Sequence, residues 1–578
     1  MSVHLPPIDP VVEPTDGVRQ RAVVRVRVVG ALLMVLLFGT GARGVQLCLS
    51  PADRTVRAAS IQRWDQVTIQ ARRGAILDRH GRRLATSVAT PNVVVDPLRI
   101  NPEDVPLLAA QVGELLDLDV SEVAEKMLRN NRYARLATRV HPATAAEVEA
   151  LHHPALWIER NARRYYPEES LASQLMGFVD ASGVGREGLE STLDEYLRGG
   201  EILLQRRRDR RGLSVDDPSK AGDANRGMDV HTTIDRQIQR MAERSLEGVI
   251  ERSAPVSANI VVVDVATGDI LAMANAPTFN PNSTNSSAEP RKNHAIQDAI
   301  EPGSVFKPFT VAAVVEAGLV SEHTPINCEG GSYAVGRTRI HDDHPHGMIT
   351  ISEVIKYSSN IGSAKLAIRL GAKEFVGYLR SFGFGERTGI PLPGERRGVI
   401  RDPAKIRPIE LATTAFGQGV TSTSLQMAMA TATLANGGVR MKPRLVTRVE
   451  DMHGIPEYVQ RPAVARRVVS KETAESVARM MVTVTEPGGT AKRAQVPGYL
   501  VAGKTGTAQK VKDGRYSAAR ISSFIGFIPA DNPVIAVVVT VDEPTKGSRY
   551  GGTVAAPAFA EVAGATMRYL GIPPNPEL

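Results

Sequence analysis

Cysteine is nearly absent from this 578-residue chain: Cys48 closes the apolar N-terminal run and Cys328 lies deep in the second half. Two thiols this far apart exclude a disulfide framework. Val45-Gln46-Leu47-Cys48 also lacks the small residues that precede a lipidated cysteine. Aromatic residues are scarce as well, at 4%. With basic residues dispersed along the chain, that scarcity weighs against nucleic-acid binding, which needs a clustered basic face and stacking rings. The formal charge of +8 fits at least as well with a face turned toward an anionic membrane or polymer. Nor is there an internal repeat. What remains is ordinary globular composition, 42% apolar and 23% charged, in a chain long enough for two or three domains.

Long apolar runs are missing with one exception. Residues 28–49, VVGALLMVLLFGTGARGVQLCL, approach the roughly 20 residues that span a bilayer, interrupted by Arg43. Arg19, Arg21, Arg25 and Arg27 precede the run. By the positive-inside rule they hold residues 1–27 in the cytoplasm and send everything after about residue 50 outside. A cleaved signal peptide is the competing reading, with Thr40-Gly41-Ala42 as a weak cleavage site. The run continues past Ala42 behind a long tail, which favours an anchor.

Beyond the anchor, residues 51–225 mix short alternating runs with helical patterns and read as an irregular α/β module. Asp216 to Met228, rich in Asp, Pro, Lys and Gly, reads as a linker. Residues 226–570 read as a second domain, followed by a short tail, 571–578. In that domain Asn259 to Asp264 and Ile270 to Ala274 form a hairpin about Ala-Thr-Gly-Asp, while Tyr499 to Val501, Ile521 to Ile528 and Val534 to Val541 are late strands. A helical insertion, including Ile351 to Gly371, separates the two groups, and a helix near Ala555 to Leu570 closes the chain. The fold class is α+β, with one antiparallel sheet carrying a helical insertion.

Ser304-Val305-Phe306-Lys307 is the chain's single S-x-x-K, preceded by Pro302-Gly303 and followed by a helical pattern. That spacing puts the Lys307 amine one turn from the Ser304 hydroxyl on one helix face. A serine is a weak nucleophile until a base takes its proton, and a lysine in an apolar cleft becomes such a base. The Ser304 N–H, unpaired in the first turn, can face a developing oxyanion. Alone, S-x-x-K is a weak signal. Ser358-Ser359-Asn360 follows at a break between helical patterns, where hydroxyl and amide can line a second wall and relay a proton. Lys504-Thr505-Gly506-Thr507 is the single K-[ST]-G; at a strand edge Lys504 and Thr505 can hold a carboxylate, Gly506 lets substrate approach, and the Thr507 N–H is a second oxyanion donor. In this order the three form the triad of penicillin-binding proteins and class A β-lactamases.

The sequence here resembles the class B penicillin-binding proteins, and within them the division-specific septal transpeptidases of the FtsI type. The likeness runs to about Phe559. It includes Arg73-Gly74-Ala75-Ile76-Leu77-Asp78-Arg79, Gly185-Arg186-Glu187-Gly188-Leu189-Glu190, Glu301-Pro302-Gly303, Phe416-Gly417-Gln418-Gly419 and Asp542-Glu543-Pro544. The resemblance implies a non-catalytic pedestal of the dimerisation type before a transpeptidase domain. It implies acyl transfer on peptidoglycan stem peptides, with Ser304 as nucleophile, Lys307 as base, Ser358 as proton relay and Asn360 holding the donor peptide. Lys504 and Thr505 would bind the terminal carboxylate. β-Lactams would acylate the same serine, no metal or cofactor would be needed, and a membrane glycan polymerase with other division proteins would be partners at the septum of the inner membrane. An elongation-type enzyme of the class, a β-lactamase or penicillin sensor, and an idle divisome scaffold are the alternatives. Intact triad residues speak against the scaffold, and the long pedestal against the hydrolase and the sensor.

Two clusters are set aside. His341 to His346 is too compact, and too interrupted by Pro345, for metal-ligand spacing on a helix. The Arg206 to Arg211 run, in an exported domain, reads as a solvated or pedestal-facing charge cluster. Arg43, a charge inside lipid, either snorkels or meets a partner helix.

Overall fold

The computed structural model describes residues 16–49, 64–159, 161–207, 226–283, 287–512 and 514–577. The chain forms two compact units. One contains helix α1 (Asp16–Leu49) and the paired strands Trp64–Gln70 and Glu201–Arg207. Within α1, Val23–Cys48 is long and apolar enough to cross a membrane. Its 26 residues rise to about 39 Å, more than a hydrocarbon core of ~30 Å. Arg43 donates to Gln46 Oε1 at 2.8 Å, an i, i+3 contact on its own helix. Most of the expected linker, Asp216 to Met228, and most of the Arg206 to Arg211 run lie outside the described residues.

The second unit spans Gln70–Gly200 and Gly222–Leu578. Its centre is a five-stranded antiparallel sheet of β1 (Ser257–Asp264), β2 (Ile270–Ala276), β3 (Ala502–Lys512), β4 (Arg515–Ile528) and β5 (Ile535–Asp542), in the order β2-β1-β5-β4-β3. Helix α2 (Arg236–Ser253) precedes it. The insertion between β2 and β3 supplies α3 (Lys307–Glu316), α4 (Asn360–Leu370) and α5 (Ser424–Ala435), and α6 (Gly551–Tyr569) closes the chain. Strands β1, β2 and β5 are buried along nearly their whole length, because helices cover both faces. The pleat shows which face is which. Phe524 packs on Phe559 of α6 and pairs with Val539, whereas the next residue along β5, Thr540, meets Ser424 of α5. Successive side chains point to opposite faces, so α5 and α6 lie on opposite sides.

Two expectations need correction. Tyr499 to Val501 is not strand; β3 begins at Ala502, because Val496 and Tyr499 form an isolated bridge across a turn at Gly498 and the Tyr499 hydroxyl donates to Ile572 O. The long helical pattern from Ile351 divides into Ile351–Lys356 and α4, since Ser358 sits at φ +64°.

Ahead of the sheet, Asn92–Val95, Ala134–Ala137 and Leu156–Glu159 form a small sheet beside helices Val105–Leu116 and Val120–Met127, with its own core around Val93, Val112, Val123 and Met127. A six-stranded sheet then combines Ile76–Leu77, Arg83–Ala89 and Ala162–Tyr165 with Asp229–Thr232, Val446–Glu450 and Pro456–Val459. Two family motifs meet beside it. Glu190 is fully buried and accepts from Arg73 Nε and Arg164 Nε, each at 2.6 Å, and from the Tyr166 hydroxyl at 3.3 Å. Arg73 NH1 also reaches Asp194 at 2.6 Å.

Candidate active site

Ser304 lies on a 3-10 turn, Gly303–Phe306, that runs directly into α3. Helix α3 is apolar nearly all round and buried over eight of its ten residues, as a helix inside a core must be. Phe306 and Phe309 fix the turn: their rings lie 4.8 Å and 5.2 Å from Phe384, and Phe309 is 5.2 Å from Phe382. Such tilted and edge-on pairs add about 0.5–1.5 kcal/mol each beyond their buried area. Behind the turn, Gly303 N–H donates to Gly417 O at 3.0 Å, and a Cβ on Gly417, at φ +81°, would stand 2.2 Å from Gly303 O. That close approach explains the glycine of Phe416-Gly417-Gln418-Gly419. Glu301 completes the support by accepting from Gly419 N–H at 2.9 Å and from the Tyr516 hydroxyl at 3.1 Å.

Lys307 is fully buried, with Nζ 2.9 Å from Ser304 Oγ, 3.0 Å from Ser358 Oγ and 2.8 Å from Asn360 Oδ1, and it also contacts the Ser358 carbonyl. Asn360 Nδ2 donates to His341 O at 2.9 Å, which keeps Oδ1 turned toward the lysine. The Asn360 and Ser358 carbonyl oxygens can only accept. A neutral amine has two N–H bonds for them and one lone pair left for a hydroxyl proton. Burial pushes the Lys307 ammonium down to about 7, partly opposed by the negative charges of Asp342 and Asp343. The site thus holds a base matched to neutral pH, aimed at Ser304.

Lys504 enters from β3, the edge strand. It is also fully buried, 3.0 Å from the same Ser358 Oγ and 3.1 Å from Thr505 O. Its pKa is lowered well below that of an ordinary lysine, first by burial and then by the Lys307 charge, with Asp343 opposing. Ser358 therefore bridges the two amines. Its left-handed backbone, at φ +64°, is a strained position of the kind held only when surrounding contacts enforce it. Gly506 packs on the nucleophile turn: a Cβ there would stand 2.5 Å from Ser523 Oγ and 2.9 Å from Val305 Cγ1. Thr507 Oγ1 accepts from Gly551 N–H at 3.1 Å, at the start of α6.

Ser304, Lys307, Ser358, Asn360 and Lys504 are thus one contact network, with Thr505, Gly506 and Thr507 on its edge strand. Sequence reasoning missed Asp342. Its Oδ1 accepts from Asn360 N at 2.5 Å and Ile361 N at 3.0 Å, and its Oδ2 accepts from the Ser359 hydroxyl at 2.6 Å. Ser359 Oγ in turn caps α4 by accepting from Gly362 N–H at 2.9 Å. A carboxylate at a helix N-terminus is stabilising, and here it fixes the turn that carries Ser358 and Asn360. Among the described residues no group of His, Cys, Asp and Glu is placed to hold a metal ion, the His341 to His346 loop included. Cys328 is buried and free, with Sγ 3.3 Å from Ser359 Oγ, while free Cys48 is exposed.

Comparison with known proteins bears on this arrangement directly. Residues 258–564 match the penicillin binding protein transpeptidase domain, and residues 68–232 match the penicillin-binding protein dimerisation domain. A probable peptidoglycan D,D-transpeptidase PenA of Neisseria meningitidis is 35% identical over 523 residues, 88% of this chain and 87% of the relative. Peptidoglycan D,D-transpeptidase FtsI of Escherichia coli K12 is 32% identical over 559 residues, 94% of this chain and 92% of the relative. Among solved structures, a peptidoglycan synthetase from Bifidobacterium adolescentis superposes with a TM-score of 0.73 at 26% identity, covering 89% of this chain and 98% of that one. Penicillin binding protein 3 from Mycobacterium tuberculosis, complexed with aztreonam, gives 0.68 at 30% identity, over 88% and 98%. On this evidence the chain belongs to the class B penicillin-binding proteins, with a dimerisation-type module followed by a transpeptidase domain.

Proposed function

We propose that this protein is a peptidoglycan D,D-transpeptidase of the FtsI type, working through a serine acyl-enzyme and open to β-lactam acylation. The observation that carries the residue assignment is the Lys307 amine, fully buried and 2.9 Å from Ser304 Oγ, with acceptor oxygens on its other sides. Ser304 Oγ attacks the carbonyl carbon of the D-alanyl-D-alanine bond as its proton passes to Lys307. The oxyanion is met by the N–H groups of Ser304 and Thr507. The C–N bond then breaks, and the leaving amine takes a proton through the Ser358 hydroxyl, which touches both lysines. An amine from a neighbouring stem peptide attacks the ester, its proton returns through the same groups, and Ser304 is freed. Asn360 holds the donor peptide, and Lys504 and Thr505 hold its terminal carboxylate. Lys504, buried and depressed in pKa, is shifted back toward its charged form when that carboxylate binds beside it.

The supporting experiment is covalent labelling. Fluorescent penicillin should label the full chain, and mass analysis should find the adduct on the peptide containing Ser304. Ser304→Ala should remove it; stoichiometric labelling of that variant sinks the assignment.

The apolar helix and the FtsI relatives support a membrane-anchored enzyme. The finer reading is a cytoplasmic N-terminus, residues 1–27, with residues 51–225 as pedestal and 226–570 as transpeptidase domain outside, at the septum of the inner membrane. A reporter active only outside the cytoplasm should work when fused after residue 75 and fail before residue 20; the reverse pattern overturns the topology. The partner reading is a glycan polymerase and other division proteins, met in part through α1. Arg43→Leu should weaken co-purification with such a polymerase while penicillin binding persists. Unchanged co-purification removes Arg43 from that role.

A further inference from the structure

Thr505 does not stand alone on the edge strand. Its hydroxyl lies 3.0 Å from the hydroxyl of Thr490, fifteen positions earlier, in a segment that no motif marks. That segment is firmly held: Ala491 N–H donates to Val484 O at 2.9 Å, Gly489 N–H to Glu486 O at 2.9 Å, and the Thr485 hydroxyl to Val501 O at 3.0 Å. On the far side α6 approaches so closely that a Cβ on Gly552 would stand 2.4 Å from Thr490 O and 3.4 Å from Thr505 Cγ2. Thr505 is buried, and Thr490 lies at the rim.

Two hydroxyls at this distance share one hydrogen, and either can donate while the site is empty. A carboxylate removes that freedom, because it only accepts. When the Thr505 O–H donates to a substrate carboxylate, its remaining partner must donate to it. We infer that Thr490 is a positioning residue for substrate-carboxylate recognition: its hydroxyl donates to Thr505 Oγ1, turns the Thr505 proton into the cleft and polarises it. A chain of O–H groups ending on an anion strengthens each bond in it. β-Branching helps, since a threonine has few χ1 choices. The inference rests on the proposed assignment of Thr505 to the terminal carboxylate.

The test compares acylation by a fluorescent penicillin with acylation by its methyl ester, which lacks the anion, so that the ratio of rate constants reports carboxylate recognition alone. Wild type should prefer the acid. Thr490→Val should lower that preference about fivefold, the effect of one hydrogen bond, and Thr490→Ser should restore it. In a Thr505→Val background, Thr490→Val should change the ratio no further. An unchanged ratio in Thr490→Val overturns the inference. Additive losses in the double variant also overturn it, since Thr490 would then touch the carboxylate itself. If Thr505→Val leaves the ratio at its wild-type value, the assignment of Thr505 has failed instead.

Discussion

Glu190 and Lys307 are both fully buried ionisable groups, yet their surroundings are opposite in kind. Around Glu190 two guanidinium groups and a phenol converge, and Asp194 neutralises part of the excess. Around Lys307 and Lys504 there are hydroxyls and carbonyls, and neither amine has a carboxylate within ion-pair distance among the described residues. Burial with partners keeps a charge and makes it structural. Burial without an ionic partner lowers an amine's pKa, and for Lys307, beside Ser304, that suits it to act as a base. The first cluster gathers Arg73 and Glu190, from two of the family motifs, and carries architecture; in the proposed mechanism the second carries chemistry.

This contrast can be broken at either end. The largest expected effect is on rate: Lys307→Ala should slow penicillin acylation by about 10²–10⁴-fold, as loss of a general base does, whereas Glu190→Gln should acylate at a near-normal rate per folded molecule. Equal losses in both would erase the distinction. Next is stability. Glu190→Ala leaves two buried guanidiniums short of their partner and should cost about 3–5 kcal/mol in thermal or denaturant unfolding. Lys307→Met removes a buried amine that has hydrogen bonds but no ion-pair partner, and should cost clearly less than Glu190→Ala. A fall for Lys307→Met as large as that for Glu190→Ala would show that the lysine is structural. The smallest effect belongs to Asp342→Asn, which weakens the carboxylate contact at the start of α4 by up to about 2 kcal/mol. It also removes a negative charge that raises the Lys307 pKa, so the midpoint of acylation against pH should move downward. An upward shift would reverse the assigned role of that carboxylate.

How much of this was readable beforehand depended on chain distance. Ser304 and Lys307 are one turn apart, so their contact follows from spacing alone. The hairpin of β1 and β2 follows from alternation about a tight turn. Asp342 was unreadable because its partners, Ser359 and Asn360, lie seventeen and eighteen positions away, beyond a short strand and the Ile351–Lys356 helix, and the histidine-rich loop around it was set aside as a whole. Thr490 was hidden for the same reason: only the fold brings it to Thr505. The division of the long helical pattern was half visible, as a break at Ser358-Ser359-Asn360, but the left-handed backbone of Ser358 depends on contacts that no local rule contains.

The proposed acylation requires Lys307 to be neutral when Ser304 reacts. The direct measurement is the second-order rate constant of penicillin acylation as a function of pH, which reports ionisations of the free enzyme. A neutral amine is gained as pH rises, so the rate should climb and level off with a midpoint near 7, where burial places Lys307. A rate that is flat across about pH 5.5 to 8.5, or that rises only toward the ordinary lysine value of about 10.4, would contradict it.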